Sequence, residues 1–314
     1  MIEVKNITKK YGNTIALDDV SFKIEEGEIV GLLGPNGAGK STTMNIITGY
    51  IEPTEGEVFI DGINMLKNPK KAKRNIGYMP EGVPLYGDLT AKEFVTYMAG
   101  IKKVEKKSLK EKVNNIIEQT GLKDVQNKLI RNLSRGYKQR VSMAGALVGE
   151  PKVLILDEPT VGLDPKQITE IRSLIKKLGK DHTVILSSHI LSEVSQICDK
   201  VIIINKGKLI AIDTPSNLEN KTLNNNSIYV TVEDANNKLV KIVEGIENVK
   251  EVKLVTENED GTKQYLISGN DGKDLRKVIF ASLAKENITI FEMKKSDATL
   301  EEAFMKLIDE GGEE

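Results

Sequence analysis

The sequence predicts an α/β protein with a mainly parallel sheet, followed by a smaller α+β domain. Over the first two-thirds of the chain, short all-apolar runs alternate with longer segments of helical periodicity, which is typical of buried parallel strands covered by helices. A polar run then interrupts this pattern, and we predict domains at 1–219 and 228–314 joined by a linker at 220–227.

Composition and charge exclude several classes of protein. The chain has 314 residues, of which 39% are hydrophobic and 29% are charged, an ordinary balance for globular domains. The net charge of −1 gives no general attraction to nucleic acid or anionic lipid, so we expect no nucleic-acid partner. Cys198 is the single cysteine, which excludes an internal disulfide and fits a reducing cytoplasm.

The sequence also predicts that the chain does not insert directly into a membrane. Residues 1–8 alternate apolar and polar side chains like a strand and lack the features of a signal peptide. The longest apolar runs, such as residues 201–204, are far shorter than the roughly 20 residues of a membrane-spanning helix. A membrane role would therefore require a partner.

Strands in the first domain are predicted from short apolar or alternating runs, at 2–7, 16–24, 29–33, 57–60, 153–156, 183–186 and 201–204. Residues from about 85 to 150 have helical periodicity and predict an inserted lobe. Thr90 with Glu93, and Ser108 with Glu111, have the spacing of a capping box at the start of a helix. A further helix is predicted after Asp164 and Pro165, and it ends near Gly179.

The second domain has the predicted element order βαββαβ, which matches the ferredoxin-like unit. Its strands are predicted at 228–234, 249–256, 263–268 and 288–293, with helices at 235–245 and 272–286. A last helix is predicted at about 299–307.

A phosphate-binding loop is the strongest motif. The pattern G-x-x-x-x-G-K-[ST] is completed by Gly34, Pro35, Asn36, Gly37, Ala38, Gly39, Lys40, Ser41 and Thr42. Glycines let backbone N–H groups wrap a phosphate chain, Lys40 supplies positive charge, and the Ser41 hydroxyl can bind magnesium. The alternative, a glycine-rich turn with a chance lysine, is disfavoured because a predicted strand precedes the loop and a helix follows it.

Two carboxylates at the end of a buried strand complete the chemistry read directly from the residues. Asp157 and Glu158 follow the apolar run 153–156. Asp157 can bind magnesium, and Glu158 can orient or deprotonate an attacking water. Paired acids at a strand end are as often merely solvated, but the phosphate loop upstream favours the functional interpretation.

At this point the sequence resembles the ATP-binding-cassette (ABC) ATPases, over about residues 1–215. Leu-Ser-Arg-Gly-Tyr-Lys-Gln-Arg at 133–140 resembles their signature segment, and residues 162–164 resemble their D-loop. Tyr11 matches the aromatic that stacks on adenine, Glu81 falls at the Q-loop glutamine, and His189 matches the switch histidine. Outside this context Tyr11 would more often be a packing aromatic and His189 a structural histidine.

The resemblance implies a fold, a cofactor and a second subunit. The fold is a RecA-like core with an antiparallel β subdomain and an inserted helical lobe, and ATP binds with Mg²⁺. Two cassettes pack head to tail, so Ser134 and Gly136 of one chain contact the γ-phosphate bound at Lys40 of another, most simply in a homodimer. Lys40, Glu158 and His189 are then catalytic, and Ser41, Asp157 and Glu81 bind the metal.

Three departures from the commonest cassette pattern point to one branch of the family. Arg135 and Tyr137 replace the first glycine and the glutamine of Leu-Ser-Gly-Gly-Gln, and Glu81 replaces glutamine. Losing glycine restricts positive φ at Arg135, which bears on the local contact that the signature makes there. This signature form and the tail at 300–304 resemble the ABC-2-type exporters.

The resemblance therefore implies an ATP-hydrolysing subunit that drives a separate membrane permease from the cytoplasmic face. The alternative is a non-transport cassette acting on ribosomes or DNA, which would usually carry two cassettes or a long coiled coil. A regulatory subunit without hydrolysis would lack Glu158 or His189, and both are present.

Overall fold

A computed structural model describes residues 1–82, 85–188, 190–222, 227–233, 238–258, 261–270, 274–295, 304–305 and 307–308. Contacts divide the chain into two compact units, Met1–Pro215 and Ser216–Asp309. Each unit has a hydrophobic core of its own.

The first unit contains the predicted α/β fold. Its elements are β1 (Ile2–Tyr11), β2 (Thr14–Ile24), β3 (Ile29–Leu33), α1 (Lys40–Ile47), β4 (Glu55–Ile60), β5 (Ile63–Asn64), α2 (Pro69–Arg74), β6 (Ile76–Met79), α3 (Ala91–Ile101), α4 (Lys106–Gln119), α5 (Arg135–Leu147), β7 (Val153–Leu156), α6 (Pro165–Leu178), β8 (Thr183–Ser187), α7 (Leu191–Ile197), β9 (Lys200–Asn205) and β10 (Lys208–Asp213).

The main sheet has six strands in the order β10-β9-β3-β8-β7-β6. All its pairings are parallel except that of β10 with β9. Every residue of β3, β7 and β8 is buried, which explains why these strands are apolar almost throughout. A second, antiparallel sheet has the order β2-β1-β4-β5. The predicted core and β subdomain are thus confirmed.

One of the two capping boxes predicted in the helical lobe is present, and the other is not. Thr90 Oγ1 accepts from the Glu93 N–H at 3.2 Å, and Glu93 Oε2 accepts from the Thr90 N–H at 2.8 Å, so this capping box is confirmed. The box predicted at Ser108 is wrong. The helix begins at Lys106 after Glu105, immediately beyond a turn in which Lys103 has φ 57°. Ser108 therefore lies inside the first turn.

Helix α6 has the predicted boundaries. The Asp164 side chain accepts a hydrogen bond from the Gln167 N–H at 2.8 Å, Pro165 is the first helical residue, and Gly179 follows the last turn. This cap fixes where the loop after β7 ends.

The second unit confirms the predicted βαββαβ order. It contains β11 (Ser227–Glu233), α9 (Lys238–Glu244), β12 (Val249–Glu257), β13 (Thr262–Gly269), α10 (Arg276–Lys285) and β14 (Ile290–Lys295). The sheet order is β12-β13-β11-β14 and all its pairings are antiparallel. Its core is formed by alternate strand residues and apolar helix residues, including Val230, Tyr265, Leu239 and Leu283.

Regular structure extends into both ends of the predicted linker. Helix α8 (Pro215–Thr222) includes residues 220–222, and Ser227 already begins β11. Residues 223–226 lie outside the described residues. Of the predicted last helix, residues 304, 305 and 307 are helical, and the others lie outside the described part of the chain.

Among the described residues, the helices are all too short or too polar to span a lipid bilayer.

We predict that a chain ending at residue 226 folds and binds ATP as the full chain does. The described core cluster of the first unit consists of residues between Ile2 and Leu209, all of which this shorter chain keeps. Thermal unfolding followed by circular dichroism should retain a cooperative transition, and titration with a fluorescent ATP analogue should give an unchanged affinity. Loss of cooperative unfolding or of ATP binding would place part of the second unit within the cassette core.

Candidate nucleotide-binding site

The predicted phosphate loop joins β3 to α1 and depends on its glycines. Gly39 precedes the first helical residue with φ 109°, and a Cβ there would lie 2.9 Å from the Ala16 carbonyl oxygen. A Cβ on Gly34 would lie 2.2 Å from the Ile204 carbonyl oxygen. Neither position has room for a side chain, so the close backbone packing that shapes the loop requires glycine. The loop ends at a helix N-terminus, where free N–H groups favour anions.

The side chain of Lys40 is held by backbone carbonyl groups of the loop. Its Nζ donates to the carbonyl oxygens of Gly34 at 2.7 Å and Pro35 at 3.1 Å. Burial lowers the pKa of Lys40, while the carboxylates of Glu158 and Asp157 oppose that shift. The ammonium group thus lies near both acids as well as the loop.

One cleft brings most of the predicted site residues together. Its lining consists of Ala16, Asn36, Gly37, Ala38, Gly39, Lys40, Ser41, Thr42, Glu81, Asp157 and Glu158. Ala16 was missed by the sequence analysis because an alanine carries no chemical signal. It reaches the cleft because β2 lies beside the loop.

A buried serine links the two carboxylate residues. Ser187 Oγ donates to Asp157 Oδ1 at 2.5 Å and accepts from the Glu158 N–H at 2.9 Å. Asp157 is 6% exposed and Ser187 is 1% exposed, so this bond satisfies polar groups that water cannot reach freely. Sequence reasoning missed Ser187. Its only signal is a hydroxyl that follows the apolar residues 184–186 at the end of β8, just before Ser188.

Glu158 has an unusual backbone conformation. Its φ is 48°, in the left-handed region, and its carbonyl accepts from the Val161 N–H at 3.3 Å in a turn. A non-glycine residue in this region costs on the order of 1–3 kcal/mol and persists only where its surroundings fix it. The turn directs the chain away from β7 immediately after the two acids.

Tyr78 lies near the carboxylate of Asp157. Burial, together with the charge of Asp157, raises the pKa of Tyr78 to about 12. Its phenol therefore stays protonated at neutral pH, and the hydroxyl reaches Asn45 Oδ1 at 3.5 Å. Tyr78 is therefore an uncharged neighbour of Asp157.

The residues of the cleft fit a magnesium ion shared with a nucleotide. Ser41 offers a hydroxyl, and Asp157 and Glu81 offer carboxylates. Within the described residues, no group of three or more His, Cys, Asp or Glu could hold a metal alone. Magnesium commonly takes one or two carboxylates and completes its shell with phosphates and water, so this donor set suits it.

Five of the described residues predicted for the site are not among those that line the cleft: Tyr11, Gly34, Pro35, Ser134 and Gly136. Gly34 and Pro35 meet the site through their carbonyl oxygens, which accept from Lys40 Nζ. Tyr11 is half exposed at the end of β1, with Lys9 Nζ 5.1 Å from its ring centroid. Ser134 caps α5, where its side chain accepts from the Tyr137 N–H at 3.4 Å, and Gly136 is buried in the same helix. His189 lies outside the described residues.

The fold and the cleft define a P-loop nucleotide-binding protein of the cassette type. The sequence profile of the family described as "ABC transporter" matches residues 17–161. The ABC transporter ATP-binding protein YhcH of Bacillus subtilis, itself uncharacterized, is 35% identical over 100% of this chain and 98% of its own length. The bacitracin transport ATP-binding protein BcrA of Bacillus licheniformis is 36% identical over 99% and 98%.

Solved structures agree with this assignment. The dimeric bacterial ABC transporter cassette MJ0796 is 32% identical, has a TM-score of 0.62, and matches 68% of this chain and 98% of its own. The same cassette has been solved as a post-hydrolysis dimer bound to ADP and phosphate. The chain belongs to the family of ABC transporter ATP-binding proteins, and it is an ATPase. The resemblance and the fold predicted from the sequence are both confirmed.

We predict that Ser187→Ala impairs both stability and hydrolysis. The change leaves the buried Asp157 carboxylate and the Glu158 N–H without their shared hydroxyl, at a cost of about 1–3 kcal/mol in the free energy of unfolding. Chemical denaturation and steady-state ATPase assays measure the two effects. Ser173→Ala removes an exposed serine of α6 and is the control. Equal behaviour of the two variants would contradict the bridging role.

We also predict a modest effect of Glu81→Gln on magnesium. If the Glu81 carboxylate joins the metal shell, the amide should bind magnesium less tightly and leave ATP binding nearly intact. Titrating ATPase activity against magnesium should then shift the midpoint upward. An unchanged midpoint would remove Glu81 from the shell.

Proposed function

We propose that the chain is the ATP-hydrolysing subunit of an exporter and drives a separate membrane permease through ATP-dependent dimerisation. The observation that carries the proposal is the separation of two sets of residues. Lys40, Asp157 and Glu158 surround one cleft, whereas Ser134 and Gly136 do not line it. A second chain is therefore needed to bring a signature segment to each nucleotide.

The export direction is supported by the relatives. BcrA is named for bacitracin transport, and LnrL of Bacillus subtilis, which is 32% identical over 98% of both chains, is named for linearmycin resistance. The signature with Arg135 and Tyr137 supports the same branch. The transported molecule never contacts this subunit in the proposed arrangement, so the cleft residues do not identify it.

Each cleft residue has a proposed task. Loop N–H groups and the Lys40 ammonium hold the outer phosphates. Ser41, Asp157 and Glu81 would hold magnesium, which when bound neutralises phosphate charge. The Glu158 carboxylate orients or deprotonates the attacking water, and His189 steadies that water and the γ-phosphate. Ser187 fixes Asp157 relative to Glu158.

A groove beside the helical lobe is the proposed permease contact. It is lined by Thr48, Tyr50, Lys73, Ile76, Tyr78, Met98, Lys102, Gly145 and Ala146, which come from both the core and the lobe. Tyr50 is 78% exposed, and Lys102 Nζ donates to the Ile76 carbonyl oxygen at 2.8 Å. Tyr78 also lies near Asp157. Movement of the lobe against the core would therefore alter both the groove and the nucleotide cleft.

We predict that Lys40→Ala and Glu158→Gln fail differently. Lys40→Ala removes the ammonium that neutralises part of the phosphate charge, so ATP binding weakens. Glu158→Gln keeps ATP binding but lowers hydrolysis by about 10² or more, the usual contribution of a positioned base. It should therefore accumulate as an ATP-bound dimer in gel filtration. Glu118→Gln, an exposed change on α4, is the control and should behave as wild type.

If Glu158→Gln stayed monomeric with ATP and hydrolysed it at the wild-type rate, both the role of Glu158 as the base and the ATP-dependent dimer would be contradicted. The export role is tested separately by purifying tagged chain from native membranes. We expect a multi-span membrane protein to co-purify, and its absence together with retained ATPase activity would favour a role outside transport.

A further inference from the structure

The loop after Glu158 is held from two sides by side chains of other helices. Gln139 of α5 donates from Nε2 to the Pro159 carbonyl oxygen at 2.8 Å. Thr160 donates from Oγ1 to Glu193 Oε2 of α7 at 2.5 Å. Residues 159 and 160 are both buried. The two residues that follow the strained Glu158 are therefore each fixed by a separate hydrogen bond.

The acceptor for Thr160 is an unusual residue to bury. Glu193 is 2% exposed, and Arg172 Nη2 of α6 lies 3.5 Å from its other oxygen, Oε1. Arg172 Nη1 also donates to Gln196 Oε1 at 2.7 Å. A buried carboxylate near a guanidinium is often no more stabilising than apolar residues of similar volume. Stability alone therefore does not account for Glu193.

The hydrogen bonds on either side of Glu158 explain what Thr160 and Glu193 do. The Glu158 N–H is bound to Ser187, the next residue is a proline with fixed φ and a bound carbonyl, and Thr160 is bound to Glu193. Between these anchors Glu158 holds φ 48°. A strained conformation persists only when the surrounding structure fixes it, and here bonds on both sides of the residue do so.

We propose that Thr160 and Glu193 form a positioning pair that sets the direction of the Glu158 carboxylate. Neither residue lines the nucleotide cleft, so the pair acts through the backbone of residues 158–160. Glu193 also lies four positions after His189 in the sequence, so the same bond ties the loop to the helix that follows this histidine. The inference rests on the role proposed for Glu158.

The test is Thr160→Val in the full-length chain. Valine keeps the volume and shape of threonine but cannot donate to Glu193. We expect kcat for ATP hydrolysis to fall by about tenfold or more, since small displacements of a reacting group have effects of this order. The dissociation constant for a fluorescent ATP analogue should stay the same, because the phosphate loop is untouched. Thr160→Ser restores the donor and should recover most of the activity.

Thr169→Val is the matched control. Thr169 is exposed on α6, and its hydroxyl donates only to the Pro165 carbonyl oxygen of the same helix. This variant should keep wild-type kcat. If Thr160→Val proves insoluble, Thr160→Ala, which also cannot donate to Glu193, takes its place under the same criterion.

A second arm separates positioning from general damage. Thr160→Val is combined with Glu158→Gln, and the residual rate is measured in a single turnover. If Thr160 acts through the Glu158 carboxylate, the double variant should be no slower than Glu158→Gln alone. Additive losses, wild-type kcat in Thr160→Val, or a parallel loss of ATP affinity would each overturn the proposal. Should Glu158→Gln itself hydrolyse ATP normally, the role of Glu158 fails instead.

Discussion

The site depends on the parallel pairing of three buried strands. β8 lies between β3 and β7, with Leu32 opposite Ser187 and Leu156 opposite Leu186. Because parallel strands end at the same edge of a sheet, the phosphate loop, Ser187 and Asp157 emerge together. A shift in this register would move the hydroxyl of Ser187 away from the carboxylate that it binds. Sheet pairing is thus the constraint from which the geometry of the cleft follows.

The electrostatics of the cleft follow from the same burial. Removing water lowers the pKa of Lys40, and the two neighbouring carboxylates counter that effect by favouring the charged ammonium. Burial also disfavours the charged form of Tyr78, and together with the charge of Asp157 it raises the pKa of this phenol to about 12. Tyr78 lines the neighbouring groove rather than the cleft itself. Burial thus favours the neutral form of both side chains, and only Lys40 has neighbouring carboxylates that favour its charged form.

Sequence patterns predicted the fold well wherever a local rule decides the structure. The all-apolar runs at β3 and β7, the cap at Asp164 and the loop glycines each follow from neighbouring residues. Ser187 was missed because its role depends on sheet order, which places residues distant in sequence side by side. Ala16 was missed because an alanine carries no chemical signal. The cap predicted at Ser108 failed for a local reason, since a turn at Lys103 starts α4 earlier.

The unusual signature residue also has a structural explanation. Arg135 is the first residue of α5 and is not among the residues with positive φ, so the conformational freedom of glycine is unnecessary there. Its guanidinium instead covers Gly162, where a Cβ would lie 2.3 Å from the Arg135 Cζ. Gly136 does need to be small, because a Cβ would lie 2.9 Å from Gln167 Cδ of α6. Both residues therefore fit the signature segment against the loop and helix that follow Glu158 in the same chain.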